Sequence, residues 1–192
     1  SSDVCSSDLE RKLRYKLLGK VYWDLGWSTT MNKPTNSNID QTDTTKLNVT
    51  ANSCYNYYTT DKEITDENVL VTFETNITKT DGYLYFGVAN ESVQYNNNCM
   101  CCTIANCTYI RSSGYVVCNS SSNLNANLKY DGGDVKTIEI RVLAKEKEVY
   151  FKVNDFEEQG PFTLTGSKWV ITSGSCNSTN GYIKLVSALV IG

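Results

Sequence analysis

Eight cysteines and no histidine bound the chemistry open to this chain. Without imidazole there is no Ser-His-Asp or Cys-His arrangement, and the commonest zinc and copper ligand is missing. The cysteines stand at 5, 54, 99, 101, 102, 107, 118 and 176, five of them within 99–118. A zinc site needs paired knuckles of two to four intervening residues, and the spacings Cys99-x-Cys101 and Cys102-x4-Cys107 match these poorly. Disulfides in an oxidising compartment are the expected use. Residues 3–9 (Asp3-Val4-Cys5-Ser6-Ser7-Asp8-Leu9) read as a translated sequencing adapter, which points to a gene from a shotgun assembly of environmental DNA. Residues 1–9 are therefore set aside from fold reasoning. Setting Cys5 aside leaves an odd set: Cys54, Cys99, Cys101, Cys102, Cys107, Cys118 and Cys176. Bonds are expected to fold 99–118 onto itself, with Cys54 or Cys176 tying it to the rest. The leftover thiol is free, or pairs with a missing N-terminal segment, or bonds to a neighbouring molecule.

A second group of residues could carry sugar. Six N-x-[ST] sequons occur, at Asn48, Asn76, Asn90, Asn106, Asn119 and Asn177. About four would arise by accident in a chain this rich in Asn, Ser and Thr, so placement carries more weight than number. None falls at an expected core position, and at least three are expected to bear N-linked glycans. Sugars can also be bound, by exposed aromatic rings that stack on a pyranose face. Tyr55, Tyr57 and Tyr58 cluster, and Tyr95, Tyr109 and Tyr115 lie in or near the Cys-rich region. These six could contact sugar or pack between subunits, where tyrosine is enriched. Trp23, Trp27 and Trp169 are assigned to packing. Asp131-Gly132-Gly133-Asp134 is read first as a turn, with a calcium loop as the lesser alternative. No cofactor is otherwise expected.

The elements that must hold these residues are strands. The chain has 192 residues, enough for one domain with a sizeable core, and a formal net charge of −3, which offers no basic surface for nucleic acid. No apolar run reaches membrane-spanning length. It contains 20 Asn, 21 Thr, 18 Ser and 13 Tyr against 2 Pro, a composition of strands and turns. Residues 10–20 read as an arm or linker and 21–192 as a single β-sandwich domain. Val21–Leu25 and Lys46–Thr50 alternate. The clearest strand spans Val69–Thr78, with Val69, Val71, Phe73 and Ile77 on one face. Asp81-Gly82 then predicts a hairpin to Tyr83–Ala89. Residues 96–127 are expected to be a long stapled loop. Thr137–Leu143 and Glu148–Asn154 predict a second hairpin around Lys145-Glu146-Lys147. Lys168–Thr172 and Tyr182–Ile191 complete eight to ten strands, the pattern of a sandwich or jelly roll.

The runs Val71-Thr72-Phe73-Glu74, Gly82-Tyr83-Leu84-Tyr85-Phe86-Gly87-Val88 and Val149-Tyr150-Phe151-Lys152-Val153-Asn154 resemble the concanavalin A-like lectin/glucanase superfamily. Trp169 and Gly181-Tyr182-Ile183-Lys184-Leu185 fit the same ending, and the likeness covers residues 45–191. It implies an all-β jelly roll of two antiparallel sheets, a fold shared by lectins, laminin-G-like modules, glucanases and interaction domains. Glucanases of the superfamily alternate catalytic carboxylates along one strand. The nearest match, Glu63-Ile64-Thr65-Asp66-Glu67, has Thr65 where the pattern requires Asp, and reads as an acidic loop. The chain is thus expected not to be an enzyme.

Two functions follow as expectations. The first is an extracellular, N-glycosylated structural subunit of a surface coat or filament. It would self-associate by strand addition through residues 10–25 or 182–191. The alternative is a carbohydrate-binding, lectin-like module of a surface protein.

Overall fold

A computed structural model describes residues 9–10, 12–14, 21–29, 39–50, 56–78, 83–92, 106–119, 121–132, 134–176 and 180–192. Among the described residues thirteen strands are formed: β1 (Val21–Tyr22), β2 (Lys46–Val49), β3 (Asn56–Thr59), β4 (Asn68–Thr75), β5 (Tyr83–Asn90), β6 (Cys107–Arg111), β7 (Ser113–Cys118), β8 (Ser121–Lys129), β9 (Lys136–Leu143), β10 (Glu148–Val153), β11 (Gln159–Thr163), β12 (Trp169–Cys176) and β13 (Gly181–Ile191). They make two antiparallel sheets. The first runs β1-β13-β4-β9-β10-β11, with β2 also on β13; the second runs β3-β12-β5-β6-β7-β8.

Alternation along β4, β9 and β10 places every second residue in the core. Val69, Val71, Phe73, Ile138, Ile140, Val142, Val149, Phe151 and Val153 are fully buried. From the second sheet, Leu84, Phe86, Val88, Ile110, Val116 and Ile171 meet them in one cluster. Phe73 and Phe86 cross the gap with ring centroids 5.3 Å apart, and Trp27 lies 5.6 Å from Phe73. The indole nitrogens of Trp27 and Trp169 donate to the Thr45 and Thr165 carbonyls at 2.8 and 2.7 Å, so both rings are buried with their polar atoms satisfied.

The hairpin expected between Val69–Thr78 and Tyr83–Ala89 does not form. β4 pairs with β13 and β9, whereas β5 pairs with β12 and β6, so the chain passes from one sheet to the other between them. The reason lies in the two apolar faces, which gain more by facing each other across the core than by lying side by side. The 145–147 hairpin does form, with Glu148 opposite Leu143 and Val153 opposite Ile138. Much of the stretch expected as a loop at 96–127 is sheet: β6, β7 and most of β8 form a meander on β5. Its periodicity is hidden because Cys107, Thr108, Tyr109 and Ile110 are all buried, on alternate faces.

β13 is interior to its sheet. Residues 183–191 pair with β4 on one side, while Gly181–Lys184 pair with β2 and Leu189–Val190 with β1 on the other. Of the two segments expected to complete a neighbour's sheet, 10–25 or 182–191, Val21–Tyr22 and Gly181–Ile191 are thus paired within the chain, and most of 10–20 lies outside the described residues.

Candidate functional site

Where β8 hands over to β9, residues 130–132 and 134–135 stand beside the end of β10 and a cavity of about 390 Å³ opens between them; Gly133 lies outside the described residues. Three groups of residues make it. Ala126, Val135 and Phe156 supply apolar surface, and Val135 and Phe156 are 56% and 48% exposed. Lys129, Asp131 and Asp134 bring charge, with the Lys129 ammonium 3.3 Å from the Asp131 carboxylate. Lys136, Tyr130 and Asn154 complete the wall.

Each of these last three is held by the fold. Lys136 opens β9 at a position whose parity points inward with Ile138 and Ile140. Its side chain is buried and Nζ donates to the Ile77 carbonyl at 2.8 Å. Burial pushes the Lys136 ammonium below its ordinary value, and the carboxylates of Asp134 and Asp131 oppose that shift. Tyr130 is buried with its hydroxyl 2.8 and 3.0 Å from the Leu84 and Ile110 carbonyl oxygens, and burial raises its pKa well above the usual phenol value. Asn154 takes a left-handed backbone (φ 50°), where its Oδ1 accepts the Thr137 N–H at 2.9 Å and fixes the turn after β10.

An exposed ring, flanking carboxylates and an ammonium around a small concavity are the chemistry that recognises a polyhydroxylated ring: C–H groups lie on the aromatic face, and acceptors and donors meet the hydroxyls. The Asp131–Asp134 turn lies in this wall, but among the described residues no group of three or more metal-binding side chains comes together.

The residues singled out from sequence divide sharply. Tyr58 is buried in the main core against Trp27. Tyr109 is buried on the opposite face of the second sheet, in a cluster with Tyr85, Ala89, Cys107 and Val117, its ring 5.5 Å from that of Tyr85. Neither is available for sugar or subunit contact, which corrects both expectations. Tyr115 is exposed and stands opposite exposed Leu124 on β8. Tyr55 and Tyr95 lie outside the described residues, as does the side chain of Tyr57.

Cys107 and Cys118 are free thiols. They are not bonded to each other, for a geometric reason. Thr108 is the cross-strand partner of Cys118, so Cys107 lies on the other face of the sheet from it. Cys107 packs with Tyr85 and Tyr109; Cys118 Sγ reaches the Thr163 carbonyl at 3.4 Å beside Thr108 Oγ1. Cys54, Cys99, Cys101 and Cys102 lie outside the described residues, as does the Cys176 side chain.

Among the sequons, Asn48 and Asn76 are exposed at one corner of the first sheet, either side of Tyr182: Asn48 is its cross-strand partner, and Asn76 Oδ1 accepts its N–H. Asn90 is a correction. It is 7% exposed, Nδ2 donates to Thr165 at 3.1 Å, and Oδ1 caps Ser92, so the atom that would carry a glycan is buried and engaged. Asn106 is half-buried with Nδ2 on Ser92 Oγ at 2.6 Å, and Asn119 is half-buried with a left-handed φ of 49°. Asn177 lies outside the described residues. Glu63 and Glu67 sit in a loop before β4, as expected. Glu67 accepts the amides of Thr65 and Asp66, and hydrogen bonds from its own and neighbouring backbone amides hold its carboxyl below the usual range.

Sequence reasoning did not single out Lys129, Lys136, Asn154 or Phe156 as site residues. A charged residue at an inward position of β9 was the signal that could have found Lys136.

No protein-family model matches the chain, and no characterised protein matches it by sequence. Solved structures do. The SPRY domain of human HERC1 superposes with a TM-score of 0.55 at 15% identity, over 74% of this chain and 87% of that one. Stonustoxin superposes at 0.54 and 10% identity over 85% of this chain, which corresponds to 27% of the toxin chain. A winged bean acidic lectin complexed with methyl-α-D-galactose superposes at 0.50 and 9% identity, over 79% and 87%. The chain therefore has the two-sheet antiparallel jelly-roll fold expected from its strand motifs, the concanavalin A-like sandwich that these domains share.

Proposed function

We propose that the domain is a carbohydrate-binding module of an extracellular glycoprotein, and that it binds rather than cleaves sugar. The observation that carries this reading is the cavity at 129–136, where exposed Phe156 faces a turn bearing Asp131 and Asp134 beside the buried Lys136 ammonium. Phe156 supplies the stacking face, Asp134 accepts from ring hydroxyls, and Lys136 donates to an oxygen. The two carboxylates lie in a turn rather than alternating along one strand, Glu63 and Glu67 are remote in sequence, and Glu67 is engaged by the amides of Thr65 and Asp66. The winged bean lectin of the same fold, complexed with a galactoside, supports the assignment at the level of fold.

Calorimetric titration with a panel of neutral and N-acetylated monosaccharides tests it. Binding of at least one sugar is expected, weakened about tenfold or more in Phe156→Ala and Asp134→Asn, because each removes about 1 to 2 kcal/mol of stacking or charged hydrogen bonding. Binding that both substitutions leave unchanged rejects the cavity.

The coat- or filament-subunit reading stands second. Its proposed mechanism, donation of a terminal strand, is disfavoured for Val21–Tyr22 and 182–191, which are paired within the chain. Association of whole folded domains through the exposed Tyr115–Leu124 edge is the form in which it survives.

A further inference from the structure

The cavity and one of the sequons are joined by a hydrogen bond. Lys136, which lines the cavity, is the cross-strand partner of Thr75 and donates through Nζ to the Ile77 carbonyl. Ile77 is the middle residue of the sequon Asn76-Ile77-Thr78. In the first sheet β4, β9 and β10 are consecutive neighbours, and the cavity wall is built from the start of β9 and the turn after β10. Asn76, just past the end of β4, is thus within about two strand spacings of the cavity, roughly 10 Å. Two linked pyranose rings cover that span.

The side chain of Asn76 is also set apart from the other described sequon asparagines. Asn90, Asn106 and Asn48 commit Nδ2, the atom through which a glycan is linked, to Thr165, Ser92 and Asp40 respectively, and Asn119 directs Nδ2 at Cys118 Sγ. Asn76 is oriented through its oxygen: Oδ1 accepts the Tyr182 N–H at 2.8 Å, which leaves Nδ2 out of that bond on an exposed residue. A Cβ at position 181 would come within 2.5 Å of Asn76 Oδ1, so Gly181 is needed for this orientation.

We infer that Asn76 carries an N-linked glycan whose first two N-acetylglucosamine units fold over the end of the sheet and occupy the chain's own cavity. This rests on the sugar-binding reading above and names its ligand class. The acetamido methyl and pyranose C–H face suit Val135 and Phe156; the acetamido carbonyl suits a lysine donor, and the hydroxyls suit Asp134. A short tether holds its ligand at an effective concentration near 1 mM, so a free sugar binding at about 0.1 mM competes against roughly a tenfold handicap.

The test uses the full chain secreted from a eukaryotic host, as parent, Asn76→Gln, Thr78→Ala and Asn48→Gln, with glycopeptide mass spectrometry of each. Thr78→Ala abolishes the sequon while keeping the Asn76–Tyr182 hydrogen bond, so it serves if Asn76→Gln folds poorly. N,N′-diacetylchitobiose is titrated into each. The expected result is an occupied Asn76 in the parent and about tenfold tighter binding by the two chains lacking that glycan, with Asn48→Gln behaving as the parent. An unoccupied Asn76, or equal binding with and without its glycan, overturns the inference while leaving the cavity a sugar site. If no sugar binds any form, the sugar-binding reading falls and the inference with it.

Discussion

Lys136 shows how a single inward-facing charge organises this end of the molecule. It sits where alternation along β9 demands an apolar residue, and its ammonium is satisfied by the Ile77 carbonyl and countered by Asp134 and Asp131. Because burial lowers its folded-state pKa below the unfolded value of 10.5, the unfolded chain binds more protons in the window below 10.5, and stability rises with pH there. Lys136→Met removes the ionisation, so its unfolding free energy, measured by urea denaturation across that alkaline window, is expected to be flatter than the parent's. Equal slopes would contradict the burial of a charged amine. At Asn90 the expectation is equally concrete. Glycopeptide mass spectrometry should find this asparagine unmodified, because its Nδ2 is held on Thr165 inside the fold. A glycan there would mean the Asn90–Thr165 contact is absent in the expressed protein. Parity along the strand marked Asn48 and Asn76 as outward, and they are exposed. Tyr58 and Tyr109 were picked by residue type and clustering alone: Tyr58 packs in the main core, and Tyr109 lies on the other face of the second sheet, which is covered as well. Residue type alone does not reveal a doubly covered sheet.

At the scale of elements, strands with one wet face were legible and strands with two dry faces were not. β4, β9 and β10 alternate cleanly, and their positions follow from sequence to within a few residues. β6 and β7 read as a loop, since buried Cys107, Thr108, Tyr109 and Ile110 carry no period-two signal. Partner choice was the other failure: proximity in sequence suggested that β4 and β5 pair, yet each finds its neighbours elsewhere and they meet across the core, where Phe73 packs on Phe86. Phe73→Ala should therefore cost about 3–5 kcal/mol by opening a cavity between the sheets, read from chemical denaturation. Gly87 tests the close approach of β5 and β6. A Cβ there would lie 2.3 Å from Tyr109 Cβ and 2.4 Å from the Thr108 carbonyl oxygen, so Gly87→Ala is expected to destabilise by about 3 kcal/mol or unfold the domain. A variant as stable as the parent would show that the strands are not so closely apposed.

For the molecule as a whole, the central position of β13 bears on whether a terminal strand is free to be donated. A strand flanked by β4 on one side and by β1 and β2 on the other has no free edge to give a neighbour. Hydrogen exchange of the unassociated protein should place the β13 amides, Ile183 to Val190, among the slowest in the chain. Rapid exchange there would restore strand donation as a route to polymers. The fold class was visible in the sequence through composition, strand spacing and terminal motifs. The cavity was not, because it joins a turn, a strand start and a strand end that have no common motif. The most direct measurement is therefore of the cavity itself: two-dimensional NMR of the isotopically labelled chain lacking N-glycans, titrated with N,N′-diacetylchitobiose. Saturable shifts concentrated at Lys129–Lys136, Asn154 and Phe156 are predicted. The absence of shifts, or shifts centred on Tyr115 and Leu124, would contradict a carbohydrate site in this cavity.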